Sequence, residues 1–446
     1  MVDINKFLQK DSRWTIAKQK ILSYWTTRKY IKKQQQCFEN INKLSFKELL
    51  YYKHALKSLN NSYQCHLERL RNIVGSRKLK VCFLISCSEK WHGDLLYHLF
   101  DQHEHFEPHI VLSSAYDQIN KLTYLYEKFS QRYHNVHIGY DYDKKEYIPW
   151  DVFSPDIVFF QEPWEINSIH SIFGAAKYAL TCYTPYCFHL MNSPYNYLEK
   201  FHRFLWKYFV EEQSYVVDYT TRYHADNCIA VGSLHIDRYR SQKSPNDDCW
   251  NDPGHRKLRI IYAPHFSFDN THRTATFQEN GKFMQQLASM YPQTTWIFKP
   301  HPSFKRQLII SNIMSNDDID EYYSNWEQYG SVFSDTDYRD LFMTSDALIT
   351  DCISFLADYL PTKMPVFHLR NAAQAVPFNQ LGQSIIDTYY QIHNNAELER
   401  TFSNVLINGH DPLHNVRENI AASIFYHQEK SSSQRVIDYI AEKLGI

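Results

Sequence analysis

From about residue 78 onward the chain alternates short apolar runs with longer stretches of mixed polarity. The runs at 80–85 (Lys-Val-Cys-Phe-Leu-Ile), 109–113, 136–139, 156–161, 179–182 and 228–231 are four to six residues long. Each reads as a strand, the longer ones buried on both faces. Between several of them lie segments with helical spacing, of which 94–100 is the clearest. Strands separated by helices pair in parallel through right-handed crossovers, which predicts a doubly wound α/β domain over 79–245. The stretch 246–257, opening Asn-Asp-Asp-Cys-Trp-Asn-Asp-Pro-Gly-His, is polar and turn-rich and predicts a linker. A second series, with runs at 259–263, 294–298 and 347–350 and an end near 369, predicts a second doubly wound domain over 258–425. The segment 426–446 reads as a C-terminal helix returning to the first domain. No internal sequence repeat links the two halves, so any likeness between them lies in the fold.

Charge separates the beginning of the chain from the rest. Residues 1–80 hold 18 Lys/Arg against five Asp/Glu, a local charge of +13; with −1 overall, the remainder carries −14. Asp11-Ser12 offers a helix cap, and Trp14, Ala17, Ile21, Tyr24 and Trp25 follow at helical spacing among basic residues. A basic helix with tryptophans on its apolar side has the profile of an interfacial segment, so 1–78 is expected to be a basic helical extension suited to an anionic membrane surface. The competing expectation is that these aromatics dock on the protein's own core. No recognisable nucleic-acid module accompanies the charge, and no nucleic-acid partner is expected.

Nine cysteines, odd in number and without a C-x-x-C, indicate neither a disulfide framework nor a zinc site and suit a reducing cytoplasm. No window approaches the roughly 18 apolar residues of a membrane span, and the start lacks a secretory apolar region. The protein is therefore expected to be cytoplasmic and peripheral at the inner face of the cell membrane. No Asp/His cluster has metal spacing, and neither a metal nor a cofactor is expected.

Three strand ends carry the candidate chemistry: Tyr-Ala-Pro-His-Phe-Ser-Phe at 262–268, Lys-Pro-His-Pro at 299–302, and Thr-Asp-Cys-Ile-Ser-Phe-Leu-Ala-Asp at 350–358. In open α/β sheets the carboxyl edge is where ligands bind. His265, Ser267, Lys299, His301, Asp351, Ser354 and Asp358 are thus expected to converge on one crevice suited to a phosphate-bearing nucleotide. Asp351 precedes an apolar helical run that Pro361 ends, which predicts a helix cap, with the amides of 352–354 and the Ser354 hydroxyl available to phosphate. Asp358 lies one turn further on, placed for ribose hydroxyls or for solvent. His301, between two prolines, can donate to a phosphate oxygen and stabilise charge on a departing nucleotide. Lys299 offers a point charge; His272 and Arg273 add cationic groups on the 265 loop.

In that order, the three motifs resemble the C-terminal half of the CDP-glycerol glycerophosphotransferase family, the teichoic-acid and capsule polymer primases and polymerases. His301-Pro302 fits the family's His-Pro, and Asp351, Ser354 and Asp358 fall at its spacing. Two doubly wound Rossmann-type domains facing a cleft, as expected here, is the GT-B arrangement. The resemblance implies transfer of a polyol phosphate from a CDP-activated donor to a hydroxyl of a lipid-linked or polymeric glycan acceptor, with release of CMP. Three departures mark the chain as divergent. Asp351-Cys352-Ile353-Ser354 stands where the family reads Asp-Tyr-Ser-Ser, and His265-Phe266-Ser267 where it commonly reads Thr-Trp-Arg. The family's Trp-His-Gly-Thr-Pro, whose histidine is the presumed base, has its counterpart in Cys182-Tyr183-Thr184-Pro185, whereas Trp91-His92-Gly93 follows the first strand.

For the base that receives the acceptor's proton, the first domain offers Glu89, His92, Glu162 and His189. Histidine meets the pKa condition without perturbation, which favours His92, with Glu162 second. Tyr183, Tyr186, Tyr195 and Tyr197 are candidates to line an acceptor groove. Two other readings stay open: a GT-B glycosyltransferase using a nucleotide sugar for a cell-surface polysaccharide, and a non-catalytic membrane-surface assembly protein that has kept a nucleotide fold.

Overall fold

A computed structural model describes residues 46–446 apart from 115, 164–165, 193–199, 241–243, 251, 253–255, 269–273, 336, 375 and 427–428. The amphipathic pattern at 11–33 lies outside the described residues, as do His272, Arg273, Tyr195 and Tyr197. The chain divides into two compact units, one formed by residues up to 186 with 197–234 and 430–446, the other by 187–196 and 235–429.

The first unit is built on a seven-stranded parallel sheet in the order β3-β2-β1-β6-β7-β8-β9. Its strands are β1 (Leu79–Ile85), β2 (Phe106–Leu112), β3 (Val136–Ile138), β6 (Ile157–Phe160), β7 (Leu180–Tyr183), β8 (Lys207–Val210) and β9 (Cys228–Ala230), with a hairpin of β4 (Tyr140–Asp141) and β5 (Glu146–Tyr147) beside it. β6 and β7 are buried throughout and β1 nearly so, because helices cover both faces of a parallel sheet. Phe83 on β1 stacks on Phe159 of β6 at 5.3 Å, which joins the two strands where the order reverses. β8 has no counterpart among the runs read as strands in the sequence.

The described part of the basic segment belongs to this unit. In the helix Phe46–Ile73, Leu59, Tyr63, Leu67 and Leu70 recur every three to four residues and are buried in the core. The Tyr63 hydroxyl bonds Thr181 Oγ1 and donates to the Phe204 carbonyl, each at 2.6 Å. Asp156, at the amino end of β6, accepts from Arg69 at 3.2 Å and from Arg77 at 2.6 Å. The apolar side of this helix therefore docks on the protein's own core. The helix Ser432–Leu444 packs there too, burying Val436, Ile437, Ile440 and Leu444.

The second unit holds a six-stranded parallel sheet in the order β12-β11-β10-β13-β14-β15. Its strands are β10 (Leu258–Ala263), β11 (Thr294–Phe298), β12 (Gly330–Val332), β13 (Ala347–Thr350), β14 (Val366–Leu369) and β15 (Tyr390–Ile392). The order reverses between β10 and β13, with Ala263 opposite Thr350. Aromatic side chains fill the core, with Phe298 stacked on Trp326 at 5.3 Å. Residues 187–196 and 235–245, expected in the first domain, belong here instead, for contacts remote in sequence. Met191 bridges to Phe378, and Asn379 donates to the His189 carbonyl. His235 lies 3.2 Å from Asp358.

Candidate functional site

In the second unit the strand-end motifs meet at the switch between β10 and β13, the place an open sheet offers to a ligand. The Thr350 hydroxyl donates to the Ala263 carbonyl at 2.6 Å, and the Lys299 amide to the Tyr262 carbonyl at 2.8 Å, so all three strands end in register. The His265 and His301 rings lie 5.4 Å apart, with Phe266 packed 4.2 Å from His301. Nδ1 of His301 accepts from the Ser303 amide at 3.0 Å, so the neutral ring carries its proton on Nε2. Nδ1 of His265 lies 2.8 Å from the Ser267 hydroxyl and 3.1 Å from that of Thr274, and accepts from the Ser267 amide at 3.3 Å. It too is an Nε2–H tautomer. Two imidazoles with defined tautomers thus stand side by side, able to donate to an anion.

Asp351 differs from the expected helix cap. Cys352 occupies the cap position of the helix Ile353–Tyr359, and the Asp351 carboxylate is wholly buried. It accepts from the His265 amide at 2.5 Å, the Thr276 amide at 2.6 Å and the Thr276 hydroxyl at 2.9 Å. Asp351 therefore pins both ends of the loop carrying His265 and Ser267. Burial pushes its pKa up to about 6, against the pull of those donors. The Ser354 hydroxyl, half-buried, lies 3.4 Å from the Cys352 sulfur.

Asp358 and Lys299 are interior groups. Asp358 accepts from the Tyr338 hydroxyl at 2.8 Å and lies 3.2 Å from Nε2 of His235. Of the two placements read from sequence, solvent is ruled out, since Asp358 is 1% exposed. Burial, then the charge of Arg238, holds the His235 pKa well below the usual range. Lys299 is 5% exposed; its ammonium donates to the Asp335 carbonyl at 3.3 Å and lies 5.0–5.7 Å from the rings of Tyr338, Phe333 and Phe355. Burial pulls its pKa down to about 8.

In the first unit, the loops after β1, β6 and β7 meet at that sheet's own switch point. Lys90, Trp91, His92, Gln161, Thr184, Pro185 and Tyr186 line one cavity of about 30 Å³. His92 and Thr184-Pro185, 92 positions apart in sequence, therefore share one site. Glu162 is buried and paired with Lys90, whose ammonium also lies 5.0 Å from the Tyr186 ring; Ser86 donates to the second Glu162 oxygen at 3.2 Å. Gln161 accepts from the Ser86 and Cys87 amides at 3.0 and 3.1 Å, fixing the turn that leads to His92. Glu89 is exposed, and His189 is buried in the second unit.

Sequence reasoning missed Thr276, Tyr338, Arg238 and Lys90, whose partners on other elements leave no local signature, and Thr274, which bonds His265 and Ser267 within its own loop. Among the described residues no group of three or more His, Cys, Asp or Glu is placed to hold a metal, and no helix is long and apolar enough to cross a membrane.

The fold is shared with several solved structures. UDP-bound MnaA of S. aureus matches with a TM-score of 0.53 at 12% identity, over 82% of this chain and 97% of that one. The UDP-GlcNAc 2-epimerase of Neisseria meningitidis, bound to UDP-GlcNAc, matches with 0.53 at 10%, over 82% and 100%. A variant of the wall teichoic acid polymerase TagF matches with 0.50 at 13%, over 82% and 89%. At these identities the likeness is one of fold, and the fold is GT-B-like. No curated protein sequence matches the chain. The profile of one protein family, described as CDP-glycerol:poly(glycerophosphate) glycerophosphotransferase, matches residues 219–442, just over half of the chain. The match takes in all three strand-end motifs, and the chain belongs to this glycerophosphotransferase family.

Proposed function

We propose that the protein transfers glycerol phosphate, or a similar polyol phosphate, from a CDP-activated donor to a hydroxyl of a lipid-linked or polymeric glycan acceptor. The acceptor oxygen forms a bond to the donor's β-phosphorus while the bond from that phosphorus to the bridging oxygen breaks. CMP leaves with the electron pair, the product is a phosphodiester, and His92 takes the acceptor's proton. His301 and His265 donate through Nε2 to phosphate oxygens and offset the charge that develops on the departing nucleotide. Ser267 and Ser354 add hydroxyl donors; Asp351 holds the loop that carries Ser267, and Asp358, on the helix that carries Ser354, accepts from Tyr338.

The observation that carries this reading is the His265–His301 pair at the ends of β10 and β11, next to the β10/β13 switch, in a chain of the glycerophosphotransferase family. His92 as base is supported by its place beside Thr184-Pro185. The family's contiguous His-Gly-Thr-Pro is here divided between two strand ends that line one cavity. The work of Glu162 is to hold Lys90, which leaves His92 the better candidate.

Purified protein offered CDP-glycerol, CDP-ribitol and a set of UDP-sugars, with the released nucleotide identified, tests the proposal. CMP from a CDP-polyol supports it. Release of UDP from a sugar donor would establish glycosyl transfer instead, and the absence of turnover with every donor would favour a non-catalytic assembly role.

A further inference from the structure

Lys299 stands at the end of β11, two residues before His301, and has the sequence position of a phosphate-binding cation. Its surroundings are those of a cation serving the protein. The ammonium donates to the Asp335 carbonyl and lies 5.0–5.7 Å from the rings of Phe333, Tyr338 and Phe355. The first two belong to the 333–338 loop, the third to the first turn of the helix Ile353–Tyr359. The Arg238 guanidinium lies 4.6 Å from the Tyr338 ring, so Lys299 and Arg238 both engage that ring, and its hydroxyl is bonded to Asp358. One buried cation thus ties the 333–338 loop to the helix that carries Ser354 and Asp358.

We infer that Lys299 is a positioning residue, whose caged ammonium holds the 333–338 loop against the helix Ile353–Tyr359 and thereby sets donor affinity, and that it is not itself a ligand of the donor's phosphates. This rests on the reading of the second unit as the donor site. Burying an ammonium opposes folding, and replacement by an apolar side chain of similar volume is often neutral or stabilising. A lysine kept only for stability has no reason to be here; one that orders a binding loop has. The charged and titratable groups around the ammonium are Arg238, Asp335, Tyr338 and Cys352, with Asp358 and His235 behind Tyr338. Burial dominates among them and lowers the proton affinity of Lys299. The tie is therefore complete near neutral pH and loosens as the pH rises through about 8.

Lys299→Met, alongside Lys299→Arg, tests the inference by steady-state kinetics and by amide hydrogen exchange. At pH 7 the Met variant is expected to show about a 10-fold higher KM for CDP-glycerol with kcat little changed. Its unfolding midpoint should be no lower than that of the wild type, and the Arg variant should recover part of the affinity. The ratio of the two KM values should shrink between pH 7 and 9.5 as the wild-type ammonium loses its proton. A loss confined to kcat, or a KM ratio independent of pH, would overturn the inference, and a raised KM with unchanged exchange of the loop amides would put the ammonium on the donor's phosphates directly. The exchange measurement needs no donor: at pH 7 the amides of 333–335, 337 and 338 should exchange about 10-fold faster in the Met variant, through local opening. Equal exchange would overturn the inference whichever donor is used. Turnover of a different donor by the wild type, with faster exchange in the variant, would leave it standing and overturn only the assignment of CDP-glycerol.

Discussion

The imidazoles of His265 and His301 stand 5.4 Å apart at the ends of adjacent parallel strands, each with Nδ1 engaged by its own loop. Each ring is held by its own loop, and donors fixed in place before reaction are the kind of preorganisation that stabilises charge as it develops. His301→Ala is expected to lower kcat by about 10²–10³ while costing little stability, since the ring is half-exposed. Kinetics on a sample shown by circular dichroism to be folded checks this; a change in KM alone would mean that His301 binds the donor without acting in the transition state.

Glu162 and His92 sit in the same unit and are separable by substitution. Because Glu162 is buried against Lys90, Glu162→Gln should destabilise the protein by about 1–3 kcal/mol through the uncompensated ammonium. His92→Ala, in a half-buried loop position, should abolish most turnover with a smaller effect on stability. Urea unfolding and kcat measured on both variants decide the roles. A large loss of kcat in Glu162→Gln with unchanged stability would move the base from His92 to Glu162.

Asp351 makes a pH-dependent contribution whose sign follows from its environment. Its folded pKa, about 6, lies above the usual carboxylate value of 3.8, so the folded state binds a proton more readily than the unfolded chain. The stability it contributes is fully present below the unfolded value and is lost as pH rises through about 6. Relative to Asp351→Asn, which does not titrate, the wild type should lose on the order of 2–3 kcal/mol between pH 4 and 7. Denaturant titrations of both proteins across that range check it; identical pH slopes would contradict the burial of an ionised Asp351.

Tyr338 joins Lys299 and Arg238 to Asp358, and its hydroxyl donates to the buried carboxylate at 2.8 Å. Tyr338→Phe keeps the ring between the cations and removes only that bond. It is expected to cost about 1–3 kcal/mol, the penalty for a buried acceptor that loses a donor. A variant as stable as the wild type in urea would show that the carboxylate does not depend on this bond.

The strand ends were legible from sequence because buried parallel strands are written as continuous apolar runs, as in β1, β6, β10, β11 and β13. β12 has no such run, since Gly330, Ser331 and Val332 are each only partly buried, and the four residues of β8 follow directly on the aromatic-rich sequence 201–206, which blurs where the run begins. The second series also continues past 369 to β15, a strand of three residues. That the ends of β10, β11 and β13 bring His265, His301 and Asp351 together followed from topology alone. What each residue does there did not, because the deciding partners are distant. Asp351 reads locally as a helix cap, yet its acceptor sites are filled by Thr276 and His265, 75 and 86 positions away. Lys299 reads as an outward strand-end cation and is caged by rings from two later segments.

The central claim is that a phosphoryl group moves, and labelling the donor at its β-phosphorus tests it most directly. With CDP-glycerol so labelled, acceptor and purified enzyme, the label should appear in the acceptor product as a phosphodiester, and the nucleotide released should be unlabelled CMP. Label retained in free CDP, with glycerol alone joined to the acceptor, would contradict it.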